Sequence, residues 1–152
     1  MPDRDYLNLS IFQGLTQEQC SLLDPLIETC QFAKGTKIFE QGDAAAYLFI
    51  LSKGEAIVQY KPYDGPTLVV AHIPVGGVFG WSTILGRPQY TSGASAVEDC
   101  EAYRLNGKRL LKSLEQSPDT SAVLLDRLTA SVSERLQISR DQVLEILNHN
   151  LG

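Results

Sequence analysis

The residues of this chain best suited to chemistry lie in one glycine-rich stretch, Gly76-Gly77-Val78-Phe79-Gly80-Trp81-Ser82-Thr83-Ile84-Leu85, which runs on through Gly86, Pro88 and Gly93 to Ala96. The chemistry they suit is anion binding. Glycine lets the main chain come close to a ligand, and the first turn of a helix leaves amide hydrogens without partners. Gly80 ahead of the short apolar turn Trp81-Ser82-Thr83-Ile84-Leu85 is a workable site of that kind. A plain glycine-rich connection between two strands has the same composition, and no single phosphate motif is spelled out.

Metal and nucleophilic chemistry have far less to stand on. His72 and His149 are distant from each other with no His-x-His pair, so a metal cluster is not expected. His72, after Val69-Val70-Ala71 on an expected strand, reads as a hydrogen-bonded structural histidine. Cys20, Cys30 and Cys100 have no Cys-x-x-Cys spacing and read as reduced thiols. No serine or cysteine has a convincing base beside it, so the chain is not expected to be an enzyme.

The elements that must position the glycine-rich stretch fit one domain over residues 1–152. The net charge of -5 argues against a surface for nucleic acid or anionic lipid. No apolar run approaches the roughly 20 residues that span a bilayer, and Met1-Pro2-Asp3-Arg4-Asp5 does not read as a signal peptide. No membrane is expected as a partner, and the expected compartment is cytoplasmic.

Thr16-Gln17-Glu18-Gln19 has capping-box spacing, and Leu22, Leu23, Leu26 and Ile27 recur on one helical face, giving a helical lead-in over 1–29. From Cys30 the chain reads as short strands between turn signals, ending with Cys100-Glu101-Ala102-Tyr103-Arg104-Leu105. The expected fold class is mainly β with flanking helices (α+β): β structure over 30–106, then helices over 107–152. Asn106 caps the first of these, which carries Leu110, Leu111 and Leu114, and Ser117-Pro118-Asp119 opens the next. Leu125, Leu128, Val132, Leu136 and Val143 then draw an apolar stripe that extends to roughly 45 Å at about 1.5 Å per residue. A stripe that long asks for a partner helix, so a homodimer joined there is expected. Ser139 interrupts the stripe, and Ser139-Arg140-Asp141-Gln142 can recap a second helix.

Val78-Phe79-Gly80-Trp81-Ser82-Thr83-Ile84-Leu85 resembles the Phe-Gly-Glu-(Leu/Ile)-(Ala/Gly)-Leu-Leu core of the phosphate-binding cassette in cyclic nucleotide-binding domains, the sensors of the catabolite activator (Crp/Fnr-like) family. The cassette occupies 76–96 here, and the strand spacing with glycines at 35, 42, 54, 76 and 80 extends the resemblance from about Phe12 to Leu114. It implies a double-stranded β-helix, or jelly roll, followed by a long C-terminal helix. It also implies a ligand site at Phe79, Gly80, Trp81, Ser82, Thr83, Tyr90, Thr91 and Ser92. Two ligand residues differ from the family pattern. Its ribose-binding glutamate is Trp81 here, and its closing Arg-(Ser/Thr)-Ala reads Tyr90-Thr91-Ser92, so the phosphate-pairing arginine is Tyr90.

The resemblance implies a stand-alone regulatory ligand sensor that takes a cyclic nucleotide or another small molecule, aromatic or anionic, and acts on an unidentified protein partner; the changes at Trp81 and Tyr90 imply that it binds cyclic AMP poorly. A degenerate dimerisation or interaction module with Trp81 filling the pocket is the alternative. The helix-turn-helix domain of the family's transcription factors is not expected here. Arg127, Arg135 and Arg140 alternate with Asp126, Glu134 and Asp141 as a solvated face, so direct DNA binding is not expected either.

Overall fold

The computed structural model describes residues 12, 15–84, 87–124, 126 and 127. Thr16 caps helix α1 (Gln17–Leu23): its hydroxyl accepts from the Gln19 amide at 3.1 Å, and the Gln19 side chain accepts from the Thr16 amide at 2.9 Å. The helix stops earlier than its apolar spacing suggests. Pro25 sits in a 3-10 turn, Asp24–Leu26, and Ile27 already pairs with Leu105 in the sheet. Leu26 and Ile27 therefore belong to a turn and a strand, and the helical lead-in ends before residue 29 because a proline cannot supply the amide that another helical turn needs.

Eight strands follow among the described residues: β1 (Ile27–Phe32), β2 (Lys37–Phe39), β3 (Tyr47–Lys53), β4 (Ala56–Tyr60), β5 (Leu68–Ile73), β6 (Val78–Phe79), β7 (Gly93–Ala96) and β8 (Cys100–Asn106). They form two antiparallel sheets, in the orders β1-β8-β3-β6 and β2-β7-β4-β5. This is the jelly-roll sandwich that the family resemblance implies. β6 and β7 are too short for their periodicity to be visible in the sequence.

Tyr47-Leu48-Phe49-Ile50-Leu51 shows how one strand serves two separate cores. Leu48 and Ile50 face a cluster shared with the helices, which includes Leu23, Leu26, Leu110, Leu114 and Leu124. Phe49 and Leu51 face the space between the sheets, with Phe39, Phe79, Tyr90 and Ala94. Because successive side chains of a strand point to opposite faces, β3 separates a helix-side core from a barrel interior.

Helix α2 (Gly107–Gln116) is capped by Asn106, whose side-chain oxygen accepts from the Arg109 amide at 3.1 Å. Leu110 and Leu114 are buried and Leu111 is half-buried. The chain is helical again over 118–124, with the Ser117 and Thr120 hydroxyls 2.8 Å apart at its start. Leu125, Leu128, Val132, Leu136, Val143 and the break expected at Ser139 lie outside the described residues. Cys20, Cys30 and Cys100 are free thiols. Among the described residues no helix is long and apolar enough to cross a membrane.

Candidate ligand site at the cassette

β6 delivers the chain to Gly80, which takes the left-handed conformation with φ 82° and ψ 37°. Glycine is required there for space as well as for conformation: an added Cβ would lie 2.9 Å from the Tyr47 carbonyl oxygen and 3.2 Å from the Phe49 ring. The 3-10 turn Trp81–Thr83 follows, closed by a 3.0 Å bond from the Ile84 amide to the Trp81 carbonyl.

The expected ligand residues part company at this turn. Phe79 points into the barrel interior and stacks on Phe49 with centroids 5.3 Å apart. Trp81, expected to line or fill the pocket, packs instead against the helix-side cluster. Thr83 is buried against Gly107, the first residue of α2, so its hydroxyl faces the helix rather than the barrel. Ser82 is buried, with its hydroxyl accepting from the Thr91 amide at 3.3 Å. Thr91 is itself exposed and Ser92 half-buried.

Tyr90 is the residue that enters the barrel. It is 5% exposed, and its ring stacks on Phe39 at 3.8 Å with an interplanar angle of 18°. Its hydroxyl donates to the Tyr47 carbonyl at 2.6 Å and accepts from the Tyr47 amide at 3.0 Å. Burial pushes the phenol above its ordinary pKa of 10.0, against the opposing effect of the hydrogen bond to Tyr47. Tyr90 is thus a neutral group, fully engaged with protein partners, in a column of rings with Phe39, Phe49 and Phe79.

Sequence reasoning missed the segment that holds this cassette. The Gly42 amide donates to the Tyr90 carbonyl at 2.9 Å, the Tyr90 amide to Asp43 at 2.9 Å, and the Ala45 amide to Pro88 at 3.0 Å. One residue further on, Ala46 accepts from the Gly107 amide at 2.9 Å, so the same segment grips both the cassette and the start of α2.

Arg104 was also missed. It pairs in register with Phe49 and lies on the face of β8 that carries Cys100 and Ala102 into the barrel. Its guanidinium sits 4.2 Å over the Tyr47 ring and 3.6 Å from the Glu28 carboxylate. The available signal was the alternation of side-chain direction along a strand, which puts Arg104 on the same face as Cys100 and Ala102. His72 lies exposed on β5, with Nδ1 3.4 Å from a Glu55 carboxylate oxygen. Among the described residues no three His, Cys, Asp or Glu side chains gather as metal ligands do.

The chain is 25% identical over 138 residues to the cyclic AMP receptor protein of Thermus thermophilus, covering 91% of this chain and 62% of that protein. It is 24% identical over 114 residues to the cAMP-activated global transcriptional regulator CRP of Escherichia coli, covering 74% of this chain and 52% of the regulator. It therefore spans between half and two thirds of the length of these curated relatives. Among solved structures, a cyclic nucleotide-binding protein from Geobacter metallireducens superposes with a TM-score of 0.78 at 26% identity, over 90% of this chain and 98% of that one. Residues 29–117, more than half of the sequence and including the cassette and every strand from β2 to β8, match the cyclic nucleotide-binding domain, and the chain belongs to that family.

Proposed function

We propose that this chain is a regulatory module of the cyclic nucleotide-binding family whose barrel does not take up cyclic AMP tightly, because Tyr90 already occupies its interior. The fold supports a ligand-sensing regulatory role. The observation that carries the finer reading is the Tyr90 phenol, bonded to both the amide and the carbonyl of Tyr47 and stacked on Phe39. By the family resemblance Tyr90 stands where an arginine pairs with the cyclic phosphate. A charge-assisted hydrogen bond of that kind contributes about 1.5–3 kcal/mol, so its loss alone weakens binding by about tenfold or more. An entering nucleotide must also displace the phenol, leaving two part-buried main-chain groups of Tyr47 to be satisfied again.

A second reading, a sensor of a different small molecule, is supported by Arg104 on the barrel-facing side of β8, a cation outside the family's cassette pattern. Trp81 plays a smaller part in either reading than its place in the motif suggests, since it packs toward the helices.

Calorimetry with cyclic AMP tests the proposal on the wild type and on Tyr90→Arg. The wild type is expected to show no binding tighter than about millimolar, and the variant to gain affinity by about tenfold or more. Micromolar binding by the wild type overturns the reading. Trp81→Glu in addition to Tyr90→Arg is the less informative variant, because it places a carboxylate beside the helix-side core.

A further inference from the structure

We propose that the outer face of the β2-β7-β4-β5 sheet carries a second ligand site, separate from the barrel interior: a groove of about 400 Å³ for a small molecule bearing a phosphate or carboxylate group. Ala94 and Ala96 turn into the barrel, so Ser95 between them projects outward, together with its register partner Lys37. The β2–β7 register slips between Lys37 and Phe39, and Gly93 lies beside the slip. A Cβ at Gly93 would stand 3.4 Å from both the Gln41 amide nitrogen and the Phe39 carbonyl oxygen, so the absence of a side chain there keeps the groove's floor open. Gln59, opposite Gly93 in register, and Lys61 complete the walls.

The walls are fixed by contacts distant in sequence. The Gln41 carboxamide accepts from the Lys61 amide at 2.8 Å and donates to the Lys61 carbonyl at 3.1 Å, which locks the end of β4 to the β2–β3 connection. Ser95 donates to the Gln59 side-chain oxygen at 3.0 Å, leaving the Gln59 amide hydrogens with no acceptor among the described residues. Lys61 Nζ spends one hydrogen on the Gly65 carbonyl at 3.0 Å, and Lys37 Nζ one on Glu40 at 2.7 Å. An ammonium has three hydrogens to donate, so both lysines keep capacity for a ligand.

Among the lining residues two cations face one carboxylate, with Asp43 a second carboxylate acting on Lys37 from outside the groove; together with a prearranged amide donor, this lining favours an oxyanion over a cation or an apolar molecule. The volume falls within the range of about 300–1,000 Å³ usual for small-molecule sites. Glu40 is the opposing group. It competes with any anion for Lys37, so removing its charge should strengthen binding.

The test is a backbone-amide NMR titration of the full chain with inorganic phosphate and, separately, with citrate. Saturable shifts are expected at Lys37, Gln59, Lys61 and Ser95 with at least one of the two probes; which one responds distinguishes a phosphate from a carboxylate ligand. Glu40→Gln, an exposed change, is expected to raise the affinity by about two- to fivefold, and Lys37→Ala with Lys61→Ala to lower it by about tenfold. Gly93→Leu should block the groove without altering its charge. No saturable shift with either probe, or equal affinity in the double lysine variant, overturns the proposal. The barrel reading is separable in the same spectra: shifts at Gly80 and Tyr90 on adding cyclic AMP count against the plugged interior and leave the groove result standing.

Discussion

Thr83 and Gly107 meet so closely that no side chain fits at residue 107: a Cβ there would stand 2.9 Å from Thr83 Cγ2 and nearer still to the Thr83 hydroxyl. The contact joins the cassette turn to the first residue of α2, whose amide is also bonded to Ala46. Cassette, 42–47 segment and helix start therefore meet at one point, which gives the candidate ligand site a direct mechanical connection to the start of α2.

Gly107→Ala sets two effects against each other. Alanine is the better helix former by about 1 kcal/mol, whereas overpacking a close contact costs about 1–3 kcal/mol. The contact is expected to win, because its neighbour is the β-branched, buried Thr83, which has few rotamers to retreat into. Urea denaturation should show a loss of about 1–2 kcal/mol, largely recovered when Thr83→Ala is added. An unchanged or raised midpoint in the single variant refutes the account.

Tyr90→Phe keeps the stack on Phe39 but strips both hydrogen bonds from Tyr47. Leaving a part-buried amide and carbonyl without partners costs about 1–2 kcal/mol, and the same denaturation experiment should record it with an unchanged denaturant slope. A variant as stable as the wild type means that water replaces the phenol, and the barrel is then not sealed by Tyr90.

Stability should fall in alkali. Burial pushes the Cys30 thiol up from 9.0 to about 11, against the lowering influence of Arg104, and raises the Cys100 thiol as well. The folded protein thus holds protons that the unfolded chain releases, so this stabilisation is complete below pH 9 and is lost as the pH climbs toward about 11. Urea midpoints should be level from pH 7 to about 8.5 and drop between about 9 and 11. Replacing Cys30 by alanine should flatten part of that drop; an unaltered profile assigns it to other groups.

The apolar stripe through Leu125, Leu128, Val132, Leu136 and Val143 calls for a partner surface. Light scattering on the full chain at tens of micromolar is expected to return the mass of a dimer. A monomer mass that does not change on dilution refutes the helix-mediated dimer expected from the stripe.

Local signals in the sequence decided a good deal. The Thr16 capping box, the Asn106 cap, the helix start at Ser117 and the strands around Tyr47–Lys53 and Cys100–Asn106 depend on neighbours a few residues apart, and each is where the pattern put it. Phe79-Gly80 was legible for the same reason, since a left-handed glycine is a requirement of the local backbone. The direction taken by side chains around the cassette was decided by the tertiary structure. Adjacent positions in a motif look equivalent in sequence, yet β3 divides the molecule into two cores and the 3-10 turn sends Trp81 and Thr83 to one while Tyr90 enters the other. What fixes Tyr90 there is the main chain of Tyr47, 43 residues away, and the ring of Phe39; a main-chain partner leaves no trace in residue identity, and only the pairing of distant strands brings it within reach.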